Sequence, residues 1–283
     1  MALWIVPNIE FYEYLPEWSA QRRNPYPRCP HPDILNYGLR DYGNRVGFWR
    51  ILEVLDHHNV RCTASLNIAI YEHFPEIMRA CEERQWDVMS HGMYNTQYSY
   101  GMSEDEERAS IRDCMATFQR LTGRRLSGWF SAADSGILST PDLVAEAGLR
   151  YFVGWYNDDQ PFPIRVRNGQ LLSMPYSIDL NDSWNLISID TEEFLRAVMD
   201  QFDRLYQEGA ESLRVMCLPV HPWVFGQPHR IKDLDRLLRY LLSHDGVWQP
   251  TGAEIADWFV ANNLPVLEEH LRTWPATGPE AAR

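Results

Sequence analysis

The chain has 283 residues, of which 45% are hydrophobic and 23% charged, and this composition is typical of a globular protein with a sizeable core. Acidic residues outnumber basic ones by 39 to 26, which gives a formal net charge of -13. Nucleic acids and anionic membranes are bound through basic patches, so neither is an expected partner. A small neutral or cationic ligand suits this charge better.

Targeting signals and the number and spacing of the cysteines narrow the class of protein further. No segment approaches the roughly 18 to 20 apolar residues of a membrane span, and the N-terminal MALWIVPNIEFYEY lacks the basic start and apolar run of a secretion signal. The five cysteines are odd in number and show no CxxC spacing, which argues against a disulfide framework or a structural zinc module. We therefore expect a cytoplasmic protein with reduced cysteines.

Segments with strand and helix character alternate along the chain. The predicted strands are ALWIVP (2–7), RCTASLNI (61–68), WDVMS (86–90), LSGWFS (126–131), LRYFVGW (149–155), LLSMPYS (171–177), LRVMCLPVHP (213–222) and VWQP (247–250). The predicted helices cover 47–59, 75–85, 103–123, 140–148, 191–209, 231–246 and 251–263. Such alternation with short loops predicts an α/β fold with a parallel sheet, most simply a barrel. We expect a single domain over 1–283, with its core at about 3–260 and a C-terminal tail at 261–283.

Polar clusters follow the predicted strands at the ends where a parallel barrel carries its functional groups. These clusters are Asn8 to Glu10, Ser90 to Gly92, Ser131 to Asp134, Asn157 to Asp159 and His221 to Trp223. They are expected to converge on one end of the barrel.

Two histidines are candidates for chemistry. His91 and His221 each end an apolar strand, and imidazole suits both proton transfer and metal binding. A structural histidine at a strand end is the alternative for either one. Asn95 lies four positions after His91, where a second histidine would complete a metal-binding pair.

Glu10 and Asp41 are the candidate carboxylates. Glu10 follows the first strand, and Asp41 lies near Arg40 and Arg45, which can hold it ionised. A carboxylate beside a strand-end histidine can act as a base towards water or as a metal ligand. A solvated loop acid is the alternative for Glu10, and an ion pair with Arg45 is the alternative for Asp41.

Other candidates concern ligand binding, and Asn95 is counted among them as well. Aromatic residues in polar loops, Trp129, Trp155, Tyr156 and Trp223, are expected to line a pocket. Asp158 is the ligand-facing candidate in its turn, although turn chemistry alone explains acids there. Arg230 binds an anionic group or anchors its loop. The chain has neither GxSxG nor a glycine-rich phosphate loop, so direct attack of water on a carbonyl is favoured over a nucleophile mechanism.

Several segments together resemble the polysaccharide deacetylase superfamily, also known as the NodB homology or carbohydrate esterase 4 superfamily. They include NYGLRDYGNRVGFWRILEVLDHHNVRCTASLN, the SHG and VHP strand ends, STPDLVAEAGLRYFVGWYNDDQPFPIRV, GQPHRI and GVWQPTGAEIADWF. The blocks DYGNRVG and YNDDQP are most similar to its allantoinase-like and cyclic-imide-hydrolase-like branch, the PuuE type. The resemblance implies a single distorted (β/α)7 barrel that hydrolyses carbon–nitrogen bonds of amides.

The resemblance also implies site roles. Carbohydrate deacetylases of this superfamily hold a metal with an aspartate and two histidines, use a separate aspartate as base, and use a late histidine as acid. The two metal histidines fall on His91 and Asn95, the late histidine falls on His221, and Glu10 is the only carboxylate at the paired-aspartate position. Asp41 matches an acid of the allantoinase-like branch.

Two departures from the family pattern bear on function. Asn95 replaces a strong ligand with an amide, which binds zinc far less well than imidazole does. Some allantoinases of the branch lack this histidine and are thought to work without metal. The third motif, which carries an arginine or a Gly-Pro pair in relatives, runs here from Phe130 to Asp134.

The sequence thus predicts a cytoplasmic, homo-oligomeric amidohydrolase that opens a small, preferentially cyclic, amide, imide or ureide. Glu10 or Asp41 is expected as base or ligand, His221 as acid, and His91 as an orienting or polarising group. No tightly bound zinc is expected, and a weakened metal site of Glu10, His91 and Asn95 is the alternative. An N-deacetylase of an amino sugar or small metabolite and a non-catalytic binding barrel are the rival functions.

Overall fold

The structure, a computed structural model, describes residues 1–16, 32–186 and 188–273. The strands are β1 Ala2–Ile9, β2 Thr63–Leu66, β3 Asp87–Ser90, β4 Gly128–Phe130, β5 Tyr151–Val153, β6 Phe162–Ile164, β7 Leu171–Ser173 and β8 Val215–Val220. The helices are α1 Ile34–Tyr42, α2 Phe48–His57, α3 Ile70–His73, α4 Pro75–Glu83, α5 Glu104–Thr122, α6 Thr140–Glu146, α7 Asp182–Asn185, α8 Thr191–Glu208, α9 Ile231–Leu241, α10 Gly252–Asn262 and α11 Leu264–Thr273. A π-helical stretch, Gly43–Gly47, joins α1 to α2.

The eight strands form one sheet in the order β6-β7-β5-β4-β3-β2-β1-β8. Each neighbouring pair is parallel except β6 with β7, which is antiparallel. The sheet curls into a half-barrel, and the predicted α/β fold of the distorted (β/α)7 type is confirmed. Seven parallel strands place their carboxyl ends at one end of the curled sheet, which we call the mouth.

Helix boundaries follow the local sequence signals. Ser103 caps α5: its hydroxyl accepts a hydrogen bond from the backbone N–H of Glu106 at 3.3 Å. The Glu106 carboxylate in turn accepts from the backbone N–H of Ser103 at 2.7 Å, which completes a capping box. Gly123 ends the helix with φ at 71°, a conformation that glycine adopts without strain.

One predicted strand is absent, and one observed strand was not predicted. The segment VWQP, 247–250, makes only an isolated bridge between Trp248 and Ala2 rather than a strand. β6 was not predicted, because its three residues include Pro163; β6 lies at the edge of the sheet, where proline is tolerated. The predicted C-terminal tail, 261–283, contains α11, and residues 274–283 lie outside the described part of the chain.

Alternation along the strands separates two apolar layers. Leu3 and Ile5 of β1 pack with the helices outside the sheet, whereas Trp4 and Val6 belong to a second cluster inside its curl. Three polar residues each lie an even number of positions after an inward-facing one: Glu10 after Val6, His91 after Met89 and His221 after Cys217. Continued alternation therefore directs all three towards the inside at the mouth.

Two glycines allow a close backbone contact beside the mouth. A Cβ on Gly47, at the end of the π-helical stretch, would lie 2.0 Å from the carbonyl oxygen of Pro222. A Cβ on Gly226 would lie 2.3 Å from the Cα of Gly47. Only glycine fits at either position, so the start of α2 packs directly on the loop that follows β8.

No helix in residues 1–16, 32–186 and 188–273 is long and apolar enough to cross a membrane. The four described cysteines are buried and form no disulfide with one another: Cys62, Cys81, Cys114 and Cys217. Cys29 lies outside the described residues.

Candidate functional site

A cavity of about 510 Å³ opens at the mouth, and its volume is in the range of small-molecule sites. Four of the predicted site residues line it: Glu10, His91, Asn95 and His221. Its other walls are mostly aromatic and polar side chains, among them Tyr12, Tyr98, Tyr100, Phe130, Asp134, Tyr176, Asn181 and Trp184. The structure thus brings together residues from β1, β3, β4 and β8, as the strand-end rule requires.

Glu10 is the most strongly held group of the cavity. Its Oε2 accepts a hydrogen bond from Nε of Arg40 at 3.0 Å, and its Oε1 accepts one from Nδ2 of Asn95 at 3.0 Å. The guanidinium of Arg40 is itself enclosed by the rings of Tyr12 and Trp223, whose centroids lie 4.1 and 4.2 Å from its central carbon. The carboxylate therefore has a fixed position and a buried cationic partner.

These contacts determine the protonation state of Glu10. Burial alone would raise the pKa of this carboxyl, but Arg40 first, and then His221 and His91, hold the pKa well below its usual range. Glu10 is consequently ionised throughout the physiological pH range. An acid that gives up its proton so readily is a weak proton acceptor.

His221 is paired on both sides with acidic groups. Its Nδ1 lies 2.5 Å from Oδ1 of Asp182, and its Nε2 lies 3.6 Å from Oε1 of Glu10. Burial lowers the pKa of His221, but Asp182 and then Glu10 outweigh it and raise the pKa to about 9. At neutral pH this histidine is an imidazolium that carries a proton on the nitrogen nearest Glu10.

His91 is in the opposite state. Burial lowers its pKa to about 4, against the favourable charge of Glu10, so the ring is neutral at pH 7. Its Nδ1 lies 3.2 Å from the carbonyl oxygen of Phe130. A carbonyl only accepts, so Nδ1 carries the hydrogen and Nε2 is left as an acceptor. The predicted polarising role needs a donor at Nε2, and the orienting role therefore fits this tautomer better.

Zinc fits these side chains poorly. The amide of Asn95 directs its nitrogen to Glu10, while its Oδ1 is buried without a hydrogen-bond partner in the described structure. Among the described residues, Glu10 and His91 belong to no group of three histidine, cysteine or carboxylate ligands whose atoms lie within 4.8 Å of one another. Arg40 and the His221 imidazolium already balance the charge that would attract a divalent cation.

Asp41 is not brought into the cavity. Its carboxylate accepts a hydrogen bond from Nε of Arg45 at 2.7 Å, one turn along the same helical segment. Arg40, the other cation considered for it, binds Glu10 instead. The position of Asp41 supports the ion-pair alternative and gives no support to a catalytic role.

The predicted aromatic wall also differs from the observed one. Trp129 is buried on the outer, helix-facing side of β4, because it precedes the inward-facing Phe130 by one position. Trp155 and Tyr156 are exposed beside neighbouring clefts. Trp223 contributes indirectly, by stacking on the guanidinium of Arg40.

The two remaining predicted binding residues make local contacts. Asp158 accepts a hydrogen bond from the backbone N–H of Gln160 at 3.1 Å, which is turn chemistry, and lines a separate cleft. Arg230 donates to the carbonyl oxygen of Leu186 at 2.8 Å, so it anchors its loop.

Asp182 is the main functional residue that sequence reasoning missed. It begins the four-residue helix α7, is fully buried, and accepts hydrogen bonds from both the backbone N–H and the ring of His221. It follows no predicted strand, so the strand-end rule could not identify it. The signal available was the segment LNDSW, which contains a helix start. Asn181 caps the short helix by accepting a hydrogen bond from the backbone N–H of Ser183, and Asp182 is the first residue of that helix.

Comparison with known proteins identifies the family and the solved structures that this chain resembles. Residues 39–152 match the family described as polysaccharide deacetylase, and the match includes His91 and Asn95 but neither Glu10 nor His221. This match and the similar solved structures described below confirm the resemblance to the polysaccharide deacetylase superfamily.

Two solved structures resemble the chain over nearly its whole length. One, from Pseudomonas aeruginosa, is named a "probable polysaccharide deacetylase" and is 28% identical, with a TM-score of 0.81 and coverage of 93% of this chain and 91% of that one. The other is the PuuE allantoinase, 27% identical, with a TM-score of 0.80 and the same two coverages. A Schizosaccharomyces pombe protein with the curated name "Putative polysaccharide deacetylase" is 28% identical over 260 residues, which cover 84% of this chain and 80% of that protein.

Proposed function

We propose that the protein is a hydrolase that opens a carbon–nitrogen bond of a small, preferentially cyclic, amide, imide or ureide. The observation that carries this proposal is the pairing of an ionised Glu10 with a protonated His221, 3.6 Å apart, at the wall of a cavity of small-molecule size. The likeness to an allantoinase supports a ring substrate, and the family supports a hydrolase acting on carbon–nitrogen bonds.

His221 supplies the acid. Its Nε2 proton passes to the nitrogen of the substrate as the carbon–nitrogen bond breaks, which avoids the expulsion of an unstable amide anion. Asp182 acts through His221: it holds the ring by Nδ1 and keeps it protonated. This arrangement is present before the substrate binds, so no reorganisation is needed during the reaction.

The attacking water is held by Glu10 and His91. Arg40 and His221 hold the pKa of Glu10 well below its usual range, whereas burial lowers the pKa of His91 only to about 4, because the neighbouring Glu10 favours protonation of the ring. His91 Nε2 is therefore the proton acceptor, and Glu10 orients the water and stabilises the charge that develops on His91. The base expected from the sequence was a carboxylate, and this assignment replaces it.

The reaction as proposed needs no tightly bound zinc, because one imidazole and an arginine-paired carboxylate are a weak zinc donor set. Metal analysis of the purified protein and turnover before and after chelation test this statement. Loss of turnover on chelation, with recovery on adding zinc, would show it to be wrong.

The pH dependence of kcat/KM on hydantoin, succinimide and allantoin tests the roles. Wild type should show an acidic limb near pH 4 from His91 and a basic limb near pH 9 from His221. His91→Gln should remove the acidic limb and lower the rate, because it deletes the proton acceptor, and His221→Asn should remove the basic limb and most of the rate. Full activity in both variants would refute the proposed function.

An N-deacetylase is the second candidate, because the relatives from Schizosaccharomyces pombe and Helicobacter pylori carry deacetylase names; the latter, a "Peptidoglycan deacetylase", is 22% identical over 267 residues. Release of acetate from N-acetylated sugars, without ring opening of any imide or ureide, would favour it. A non-catalytic barrel would instead show ligand-dependent thermal stabilisation without turnover.

A further inference from the structure

Asp134 lies on the cavity wall in a backbone conformation that few residues adopt. Ala133 and Asp134, consecutive and neither of them glycine, have φ at 50° and 53°. The loop is held in this shape by Ser135, whose hydroxyl donates to the carbonyl oxygen of Ala132 at 2.6 Å and accepts from the backbone N–H of Ser99 at 2.9 Å. Strained loop residues that persist in a fixed shape occur at functional sites.

One oxygen of the Asp134 carboxylate, Oδ1, is buried with no hydrogen-bond partner in the described residues. The hydroxyl of Tyr156 acts on the same carboxyl and lowers its pKa. A buried acceptor without a partner is costly, and a ligand that donates to it removes that cost.

The charges of the cavity single out Asp134 further. Glu10 is balanced by Arg40, and Asp182 is balanced by the imidazolium of His221. Within the described chain, no cationic side chain lies within 4.0 Å of Asp134. Burial and then Glu10 raise the pKa of this carboxyl to about 6, against Tyr156 and His221, as expected for an acid that lacks a counter-charge.

We propose that Asp134 binds a cationic N–H group of the substrate, such as a primary ammonium or an amidinium, through its unpartnered Oδ1. The proposal rests on the proposed function, because it specifies which small ring or amide the same cavity accepts. Asp134 is a specificity-determining residue in this assignment and takes no part in bond breaking. A cation supplies both the missing hydrogen bond and the missing counter-charge.

Three hydantoins test the charge of the substrate while the reacting ring is kept constant. They are 5-(3-aminopropyl)hydantoin, which is cationic, 5-butylhydantoin, its neutral isostere, and 5-(2-carboxyethyl)hydantoin, which is anionic. Wild type should prefer the cationic probe to the neutral one by about 10- to 100-fold in kcat/KM, the size expected for a charge-assisted hydrogen bond. The anionic probe should be the poorest of the three.

Two variants assign the preference to Asp134. Asp134→Asn keeps the shape and an acceptor oxygen but loses the charge, and Asp134→Ala loses both. In each, the ratio of kcat/KM between the cationic and neutral probes should fall to about one. Asp159→Asn, which removes an exposed acid of a nearby turn, is the matched control and should keep the wild-type ratio. Thermal unfolding of all variants verifies folding.

The outcomes separate this proposal from the proposed function. Ring opening with equal rates for the cationic and neutral probes overturns the proposal and leaves the hydrolase intact. A preference that survives in Asp134→Asn overturns it as well, because charge would then not be the feature recognised. If no hydantoin is opened, calorimetric titration decides: tighter, Asp134-dependent binding of the cationic probe supports the proposal although the ring-opening function fails, and absence of that preference overturns both.

Discussion

Asp182→Asn tests the part of the site on which acid catalysis depends. Asp182 is buried and accepts hydrogen bonds from the backbone N–H and from Nδ1 of His221, at 2.8 and 2.5 Å. An asparagine offers one acceptor where the carboxylate offers two, and it has no charge. The variant should therefore lower the pKa of His221 while the residue keeps its place.

The magnitude follows from the pKa of His221, which is raised from 6.5 to about 9. A return to 6.5 or lower corresponds to about 3 kcal/mol of lost stabilisation of the imidazolium, at about 1.4 kcal/mol per pKa unit. At pH 8 the protonated fraction would fall from about nine-tenths to about 3%. Activity that requires this proton should fall about 30-fold at pH 8 and by much less at pH 6.

The assay is the pH profile of kcat/KM for wild type and Asp182→Asn from pH 5 to pH 10. The basic limb should move from about pH 9 to pH 6.5 or below. Asp179→Asn, an exposed acid on the same segment, is the control and should keep the wild-type profile. A basic limb that stays near pH 9 in Asp182→Asn would refute the reasoning, since His221 would then not depend on Asp182 for its charge.

Four further predictions concern stability and the excluded candidate. Arg40→Met should lower the free energy of unfolding by about 3–5 kcal/mol because it removes the cation that is hydrogen-bonded to the buried carboxylate of Glu10, whereas Arg45→Met, on an exposed pair, should change it little; urea unfolding measures both. Asp41→Asn should keep kcat/KM within about threefold of wild type, and a larger loss would return Asp41 to the site. His91→Gln should remove a loss of stability that wild type shows at low pH. The pKa of His91 is about 4 in the folded protein and 6.5 in the unfolded chain, so the unfolded chain takes up the proton first as the pH falls. Wild type is therefore destabilised by up to about 3 kcal/mol between pH 6.5 and pH 4. Phe202→Ala should cost about 3–5 kcal/mol by leaving a cavity in the helix-facing core, without moving the limbs of the pH profile.

The strand-end rule worked where a residue directly continues a strand. Glu10, His91 and His221 were identified from the sequence because each follows an apolar strand, and the alternation of side chains directs all three inwards. The same alternation explains the error at Trp129. Aromatic character identified a plausible wall residue, but the position of Trp129 places its side chain on the helix-facing side of the sheet.

The remaining errors concern partners rather than positions. The sequence around Asp41 does not show which acid Arg40 binds and which acid Arg45 binds. Only the helical geometry of α1 directs Arg40 to Glu10 and leaves Arg45 to pair with Asp41. Asp182 lies on a short helix outside the pattern of strands, and its contact with His221 joins residues that are 39 positions apart. Local periodicity contains no information on such pairings.

The contact between Gly47 and Gly226 links the helical segment that follows Arg40 to the loop that follows His221. Gly47 lies at the end of the π-helical stretch that follows Arg40, and it packs on the carbonyl oxygen of Pro222, the residue next to His221. A single methyl group at Gly47 would force the helix and the loop apart, and with them the anchor of Glu10 and the acid that lies 3.6 Å from it. The spacing of Glu10 and His221 therefore depends on a glycine that lies outside the cavity. Substitutions at Gly47 are expected to inactivate the protein, although no substrate can reach this residue.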